Sequence, residues 1–599
     1  MSVENILVLI ILFIAILLFI SEKIRADVVA LMSMVALLLT GILTTEEAFS
    51  GFSSPAVITV WSVFIVSGGI TRSGIGEQIA YWVLKVAGKS QLRLTFFIML
   101  TVGLLSAVMN NIGAVAILLP AVLTISRKAN LAPSKLLIPL AWASLMGGNM
   151  TLIGTPPNIL ASSILSTYEN VPTFRFFDFT PMGIIVLSTG VIYMLLIGNR
   201  LLPKRTPGGE LSERYQIQQY LTEVRIPPSS PLVGQTIRQA AIQEEHEFLI
   251  VHIHPHDRLD EMLTPYPDYT FKAGDELHIQ ADPEAILNAT HNLQLITIPD
   301  RKTTPLTIRE NQQTMHQTEI TLAPYGRFDG KSLMDIDFRA RFDVSVLAIR
   351  HNGRTLVSRL GKVPLHIGDS LLVQGTREKL KQLTNNQDFI LLEMGFQPTK
   401  ISKKAPLAVL ILLGVILIAA SGLLHISAAM LIGAILMVVS RIITIDEAYQ
   451  SIEWKAVFLI ASMLPMGLAM EKTGTAQIIA QSVIKLIGDQ SALAVMMGLF
   501  ILTALLTEVI SNAAATVLAV PIAIDAALNL GANPQTFVMA IVIAASTSFL
   551  MPIGHQVNVI IFGPGGYLFK DYTKVGIWLN LILLLMTMIF LPLIWPLYP

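Results

Sequence analysis

Long apolar runs alternate with short polar breaks at both ends of the chain, and a polar stretch separates the two regions. Runs without formal charge cover Ile6–Ile20, Val28–Thr45, Pro181–Asn199, Pro406 up to Arg441, and Val575–Pro599. A helix needs about 20 mostly apolar residues to cross a hydrocarbon core of about 30 Å, so these runs predict membrane spans. The first run lacks a basic leader (Met1–Asn5) and no small-residue cleavage site follows it, so it reads as a retained span rather than a signal peptide. Segments 93–108 and 112–126 predict a hairpin that enters and leaves on one side. A broken span is expected near 137–165. The expected fold is a polytopic α-helical membrane protein with re-entrant hairpins and broken helices. Its parts are an N-terminal membrane repeat at 1–205, two small α+β domains at 206–300 and 301–398, and a C-terminal membrane repeat at 399–599.

The two membrane regions repeat each other. Thr45-Glu46-Glu47-Ala48-Phe49 has a counterpart in Ile445-Asp446-Glu447-Ala448-Tyr449, and Gly74 in Gly474. Asn111, then Pro120, matches Asn512, then Pro521, and Gly154-Thr155-Pro156-Pro157-Asn158 matches Gly554-His555-Gln556-Val557-Asn558. One register held over so long a stretch indicates duplication. Lys and Arg favour cytoplasmic loops. With Lys23 and Arg25 inside, Thr44–Ser54 falls outside, and Arg72, Lys85, Lys89 and Arg93 fall inside, as do Arg127, Lys128, Lys135, Arg200, Lys204 and Arg205. The second half starts inside at Lys400, Lys403 and Lys404, so Asp446-Glu447 lies inside while Glu46-Glu47 lies outside. Only Arg175, Lys472 and Lys485 then stand on the outer side. An odd number of spans per half inverts the repeat, a pattern of secondary transporters.

The insert is also duplicated. Phe271–Leu277 resembles Leu365–Leu371, and Gly234-Gln235-Thr236 resembles Gly330-Lys331-Ser332. Phe248–Ile253 and Val344–Ile349 predict short buried strands, with the Gly-Asp pairs as tight turns.

Composition narrows the class. Only 14% of the 599 residues are charged, against about 25% in a soluble protein. The formal net charge is zero, which implies no nucleic-acid partner. Without cysteine, disulfides, thiolate metal sites and cysteine nucleophiles are excluded. Neither half offers an activated nucleophile or a metal cage, so no enzyme is expected. The insert's histidines (His246, His252, His254, His256, His278) lack a compact metal-binding spacing and read as strand-surface residues.

Candidate chemistry sits where the helices break. Non-helical backbone at membrane depth is tolerated only where it lines a cavity or is buried in protein. Breaks are expected at Met109–Gly113, at Gly147–Met150 and Gly154–Asn158, and again at Ser511–Ala514 and Pro552–Asn558, with Gly563–Gly566 beyond. Helix N-termini present free N–H groups to an anion, and unwound carbonyls and Asn oxygens suit Na⁺. Lone Ser or Gly residues in such helices serve close packing. Asn111 with Asn512, and Asn158 with Asn558, are paired across the repeat and inside breaks, which favours function. Glu508 reads equally as a proton or cation carrier and as a structural carboxylate. His555, in place of Thr155, reads as a hydrogen-bonding residue, with pH sensing or substrate contact as the alternatives. Asp525 and Lys485 read as solvated flanks.

These residues resemble the divalent anion/sodium symporter family of the ion transporter superfamily, across both membrane regions. That family carries a Ser-Asn-Thr motif at each hairpin tip and a Thr-Pro-Pro-Asn type break in the next helix. The matching residues are Asn110-Asn111-Ile112, Ser511-Asn512-Ala513, Thr155-Pro156-Pro157-Asn158 and Gln556-Val557-Asn558. The resemblance implies two Na⁺ sites near the tips, drawing on Asn111, Asn158, Gly154, Asn512, Asn558 and Gly554. It also implies an anion held between the tips by Asn110, Asn111, Gly113, Thr155, Pro156, Ser511, Asn512 and His555, a homodimer in the inner (plasma) membrane, and an elevator-type motion. Ile112 and Ala513 stand where the family has Thr, and Asn110 where it has Ser. Losing those hydroxyls favours a small oxyanion such as sulfate over a dicarboxylate. The insert resembles paired C-terminal subdomains of potassium-conductance regulators, which implies a cytoplasmic module binding a small ligand such as a nucleotide. Symporters with this insert resemble sulfate permeases of bacteria and algae. The expected function is Na⁺-coupled anion symport. A cation/proton antiporter or metalloid-efflux permease of the same superfamily is the alternative, with a channel-like sensor third.

Overall fold

The computed structural model describes residues 2–21, 24–168, 171–204, 401–487 and 491–598 of the membrane regions. Of the insert it describes 221–240, 242, 248–257, 263, 265–266, 268–280, 290, 292–298, 315–322, 327–351, 354–356, 360–366, 369–376, 379–380, 383 and 388–391. Lys23, Arg205, His246, Ile367, Gly368 and Lys400, used above, lie outside the described residues. The chain forms two compact units: Met1–Thr206 together with Gly395–Pro599, and Pro207–Met394.

Among the described residues the first unit is helical, and its two halves share a series of ten corresponding α-helices. In the first half these are α1 (Val3–Ser21), α2 (Ala26–Leu39), α3 (Thr45–Phe49), α4 (Pro55–Arg72), α5 (Ile75–Ala87), α6 (Gln91–Ser106), α7 (Asn111–Lys128), α8 (Leu137–Gly148), α9 (Pro156–Leu165) and α10 (Thr180–Tyr193). The second half repeats them as α11 (Ala405–Ser421), α12 (Ile426–Val439), α13 (Ile445–Ser451), α14 (Trp454–Lys472), α15 (Thr475–Ile487), α16 (Ala492–Leu506), α17 (Asn512–Asn529), α18 (Pro534–Ala545), α19 (Gln556–Gly565) and α20 (Phe569–Ile594). Among the described residues, six helical stretches are long and apolar enough to cross a membrane, and shorter apolar helices lie between them.

Local chemistry fixes the repeat. Thr44 and Glu47 form a capping box at the start of α3, and Thr444 and Glu447 form the same box at α13, each satisfying two orphan donors. Gly74 and Gly474 take the left-handed backbone, at φ 76° and 73°, where α4 turns into α5 and α14 into α15.

Helices α8 and α18 form the centre and are buried along nearly their whole length. Outward faces are apolar, with Ile10, Phe13 and Leu17 on α1 and Leu410, Leu413 and Leu417 on α11 exposed. Such a surface suits lipid. The halves pack reciprocally: α2 lies on α14, and α12, the counterpart of α2, lies on α4, the counterpart of α14. Two ion pairs obey the same exchange. Glu47 meets Lys472 at 2.8 Å, and Glu447 meets Arg72 at 2.6 Å. Lys472, an exception to the sequence-based charge distribution, is therefore the partner of an acidic loop. The match is not complete: α17 packs along α14 and α9, whereas its counterpart α7 touches α4 and α19 far less.

The second unit holds two antiparallel sheets. Strands β1 (Leu221–Arg225), β2 (Leu249–His254), β3 (Glu276–Gln280) and β4 (Ile296–Thr297) run in the order β2-β3-β1-β4. Strands β5 (Met315–Leu322), β6 (Ser345–His351), β7 (Arg354–Leu356), β8 (Ser370–Thr376) and β9 (Phe389–Leu391) run in the order β7-β6-β8-β5-β9. Each sheet has its own apolar core, around Phe248, Ile253 and Leu277 in one and Ile320, Ile349 and Leu371 in the other. Asp275 and Asp369 close equivalent turns. Asp275 accepts from the backbone N–H groups of His256 and Lys272 and from the Tyr269 hydroxyl. Asp369 accepts from the His366 N–H and is 2.8 Å from His351 Nδ1. His252, His254 and His278 gather on neighbouring strands, with the His254 and His278 rings 5.0 Å apart. Burial, reinforced by His278 and His254, pushes His252 down to about 4, and burial also lowers His278. Among the described residues, no group of His, Asp or Glu is arranged to hold a metal ion.

Candidate functional site

Four of the predicted breaks, Met109–Gly113, Gly154–Asn158, Ser511–Ala514 and Pro552–Asn558, contain the start of a helix, whereas Gly147–Met150 and Gly563–Gly566 fall at the ends of α8 and α19. The hairpin tips turn at Met109–Asn110 and Ile510–Ser511, so α7 begins at Asn111 and α17 at Asn512. Asn110 Oδ1 accepts from the Ile112 N–H at 3.1 Å, and the Ser511 hydroxyl accepts from the Ala514 N–H at 3.3 Å. These short polar side chains hold the first turns open to the tip. The second pair of breaks separates α8 from α9 and α18 from α19. Pro156 and Pro157 stand in the first turn of α9, where a missing N–H costs nothing, so the chain restarts a helix there instead of continuing one. His555 does the same job for α19 by another route: its Nδ1 accepts from the Val557 N–H at 3.2 Å. Thr155 makes no such cap.

All four starts open on one cavity of about 400 Å³. Its wall includes Asn110, Asn111 and Ile112, Thr155 and Pro156, Ser511, Asn512 and Ala513, and Gly554, His555 and Gln556. Arg25, Asp27, Glu453 and Lys455 line it as well. Four helix N-termini, two from each half, thus converge on one space. Each carries a partial positive charge, although α9, with Pro156 and Pro157 first, contributes its dipole and no N–H from those two positions, so together they suit an anion without a dedicated cationic side chain.

Gly113, Gly154, Asn158, Asn558 and Glu508 are not among the lining residues. Asn158 Nδ2 donates to the carbonyls of Gly148 (3.2 Å) and Thr151 (2.7 Å), and Asn558 Nδ2 to those of Ser548 (2.7 Å) and Met551 (3.4 Å). Because both neighbours are carbonyls, the amides cannot be flipped. Their Oδ1 atoms are left buried with no hydrogen-bond partner in the structure. A buried acceptor without a donor is costly, and a cation removes that cost. Other oxygens collect in the first half. The Ser106 hydroxyl donates to Asn111 Oδ1. A Cβ on Gly148 would fall 2.7 Å from that Oδ1, and one on Gly154 only 2.4 Å from the Gly148 carbonyl oxygen and 3.0 Å from that of Ser106. Glycine is what lets these oxygens close together, and an uncharged all-oxygen set of this kind fits Na⁺.

The second half differs. Asn512 Oδ1 accepts from the hydroxyls of Thr507 (2.8 Å) and Ser548 (2.9 Å), and its Nδ2 is buried without a partner. Glu508 takes the place of Ala107. Its Oε1 accepts from the Phe549 and Leu550 N–H groups at 2.8 Å, and its Oε2 from that of Met551 at 2.9 Å. The carboxylate thereby ties together the unwound backbone after α18. Sequence reasoning did not single out Ser106, Thr507 and Ser548. The repeat register held the clue for the first two, each five residues before its Asn. It also missed the contact of Gln556 Nε2 with Glu453 Oε1 at 3.0 Å.

A duplicated membrane fold whose broken helices face one small cavity defines a solute transporter and not an enzyme. The chain belongs to the citrate transporter family, whose profile matches residues 16–541. It is 36% identical to an uncharacterized transporter of Synechocystis sp., over 98% of this chain and 96% of that one. It is 32% identical to the uncharacterized transporter YfbS of Escherichia coli over the full length of both. A probable sodium/sulfate cotransporter 3 of Chlamydomonas reinhardtii is 21% identical, over 90% of this chain and 83% of its own. These likenesses accord with the anion-symporter resemblance of the motifs.

Proposed function

We propose that the protein is a Na⁺-coupled symporter of a small divalent oxyanion, sulfate before dicarboxylate, working by an elevator-type alternation. The observation that carries this is the convergence of four helix N-termini, two per half, on one cavity. Asn110, Asn111, Thr155, Pro156, Ser511, Asn512 and His555 are the anion-side residues, with Gly113 behind the first tip. Asn512 lines the cavity beside Ser511 and Ala513, which supports an anion role for that residue. Na⁺ is held by the oxygens of Asn111, Gly154 and Asn158 in the first half, and by Asn558 with the Gly554 region in the second. Bound there, it supplies the positive charge that makes anion entry favourable. Ile112 and Ala513 leave the cavity short of hydroxyls for a second carboxylate, which supports sulfate. The name of the algal relative points the same way. An antiporter would need Glu508 to shuttle protons, whereas its two oxygens are engaged by three backbone N–H groups.

The halves are inverted in the plasma membrane, with the insert in the cytoplasm. The ion pairs support this, because each joins residues that the charge distribution puts on one side: Glu47 with Lys472 outside, Arg72 with Glu447 inside. With Arg25 and Lys455 at its wall, the cavity belongs to the inward-facing arrangement. The insert, as a regulator-type module in a homodimer, biases the cycle through a small ligand, which requires different affinity for the two states.

Uptake of labelled sulfate into proteoliposomes tests the reading. Accumulation driven by an inward Na⁺ gradient, and competed by other oxyanions, is expected. Na⁺ or H⁺ exchange that proceeds without any anion would overturn it.

A further inference from the structure

The bond between Glu453 and Gln556 belongs neither to the anion wall's hydrogen bonding nor to the cation oxygens. Glu453 stands at the start of α14, yet its side chain does not cap that helix. Instead it accepts from Gln556 Nε2 at 3.0 Å. Gln556 is the first residue of α19 and lies on the cavity wall. Helix α14 packs with α2 in the group built by α1–α4 and α11–α14, whereas α19 packs on α7 and α8 in the other group. The bond therefore crosses the boundary along which an elevator motion must slide. At the far end of α14, Glu471 Oε2 lies 3.4 Å from the Thr167 hydroxyl, just beyond α9. The two glutamates stand roughly 27 Å apart along α14 at 1.5 Å per residue. Both ends of one helix thus reach across the same boundary.

The repeat shows that this arrangement is one-sided. The counterparts of Glu453 and Glu471 on the α4 side are Ser53 and Thr71, and Pro156 stands for Gln556. Proline has no side-chain donor. Tyr567, the counterpart of Thr167, donates its hydroxyl to the Ser134 carbonyl at 2.7 Å within its own helix group. In the alternate orientation α4 and α14 exchange roles, and the carboxylate-accepted bonds have no equivalents there. A hydrogen bond to a charged acceptor is stronger than one between neutral groups.

We propose that Glu453 and Gln556 are positioning residues of the transport cycle: they form a latch that holds the substrate-bearing helices in the arrangement seen here and sets the ratio of the two orientations. The latch rests on the alternating-access reading above. It acts on state populations, so its loss alters the balance between the two orientations.

The chain has no cysteine, so an introduced one is its sole thiol. Ala513→Cys places a thiol on the cavity wall. Its labelling by a membrane-impermeant maleimide is measured in vesicles of both orientations, in the otherwise unchanged chain and with Glu453→Ala, Gln556→Ala or both. Each single change is expected to slow labelling from the Lys455 side and raise it from the other by about tenfold, the double change giving no more than either alone. Glu453→Gln, which keeps the shape and loses the charge, gives an intermediate shift. Unchanged rates in both single variants, or additive shifts in the double, overturn the latch while labelling of the parent from one side keeps alternating access standing. Labelling of the parent from neither side removes alternating access and the latch with it.

Discussion

Asn158 shows how much one amide can do when its two ends are treated differently. Its nitrogen reaches from α9 to the carbonyls of Gly148, at the end of α8, and Thr151, within the break, and its oxygen faces no donor. Asn158→Ala is expected to raise the Na⁺ concentration for half-maximal uptake at least about tenfold. It should also abolish the Na⁺-dependent rise in melting temperature, since a ligand stabilises only a state that binds it. Melting curves with Na⁺ and with choline check this, and an unaltered Na⁺ response would remove Asn158 from the cation site. The asparagines were legible because the repeat sets them in register inside breaks. Their hydroxyl partners were not: Ser106, Thr507 and Ser548 look like any small polar residue of an apolar helix, and only folding brings them against Asn111 and Asn512. Glu508 was visible as a buried charge, but nothing in the sequence says that three N–H groups from 549–551 will hold it.

At the scale of elements, prolines and glycines made the breaks readable, while the approach distances between helices were not. A Cβ on Gly147 would lie 2.2 Å from the Gly103 carbonyl oxygen and 2.4 Å from its Cα, so α8 and α6 meet backbone to backbone there. Gly147→Ala therefore has to spread two central helices, and the expected result is a melting temperature lowered by several degrees with uptake reduced. Gly414→Ala, where a methyl meets nothing within 4 Å, serves as the control and should be neutral. Equal melting temperatures for both variants would contradict the close approach. In the insert, the sequence pointed to two of the strands, now β2 and β6, but not to β3 or the strand order, so the meeting of His252, His254 and His278 was hidden. Burial holds His252 at about 4, below the roughly 6.5 of an exposed imidazole. The unfolded chain thus binds the proton first as pH falls. The stability this group contributes is complete above about 6.5, and it is lost between that value and about 4. Hydrogen exchange of β2 and β3 in the full chain, corrected for intrinsic rates, should show less protection at pH 5 than at pH 7. His252→Leu should flatten that difference.

For the whole molecule, the decisive relation is the exchange of partners between halves. Asn5 Nδ2 donates to the Thr473 carbonyl at 2.5 Å, next to the Glu47–Lys472 pair, while the Ser402 N–H donates to the Ser73 carbonyl at 3.1 Å, next to the Arg72–Glu447 pair. Each end of the helix bundle therefore gathers the start of one half and the finish of the other's fourth helix. Were the halves parallel in the membrane, the two acidic boxes would lie on one face, and both pairs would have to form there. Because α4 and α14 are of span length, their two ends lie about a bilayer apart. Glu46 and Asp446 are both exposed beside their boxes, so a cysteine at either can be reached by reagent. In a chain without other thiols, Glu46→Cys should react with an impermeant maleimide added to intact cells, and Asp446→Cys only after the membrane is opened. Reaction of both from the same side would place the two boxes on one face. The four helix starts would then have no pair of opposite sides to face in turn, and the cavity would lose its claim to alternate between them.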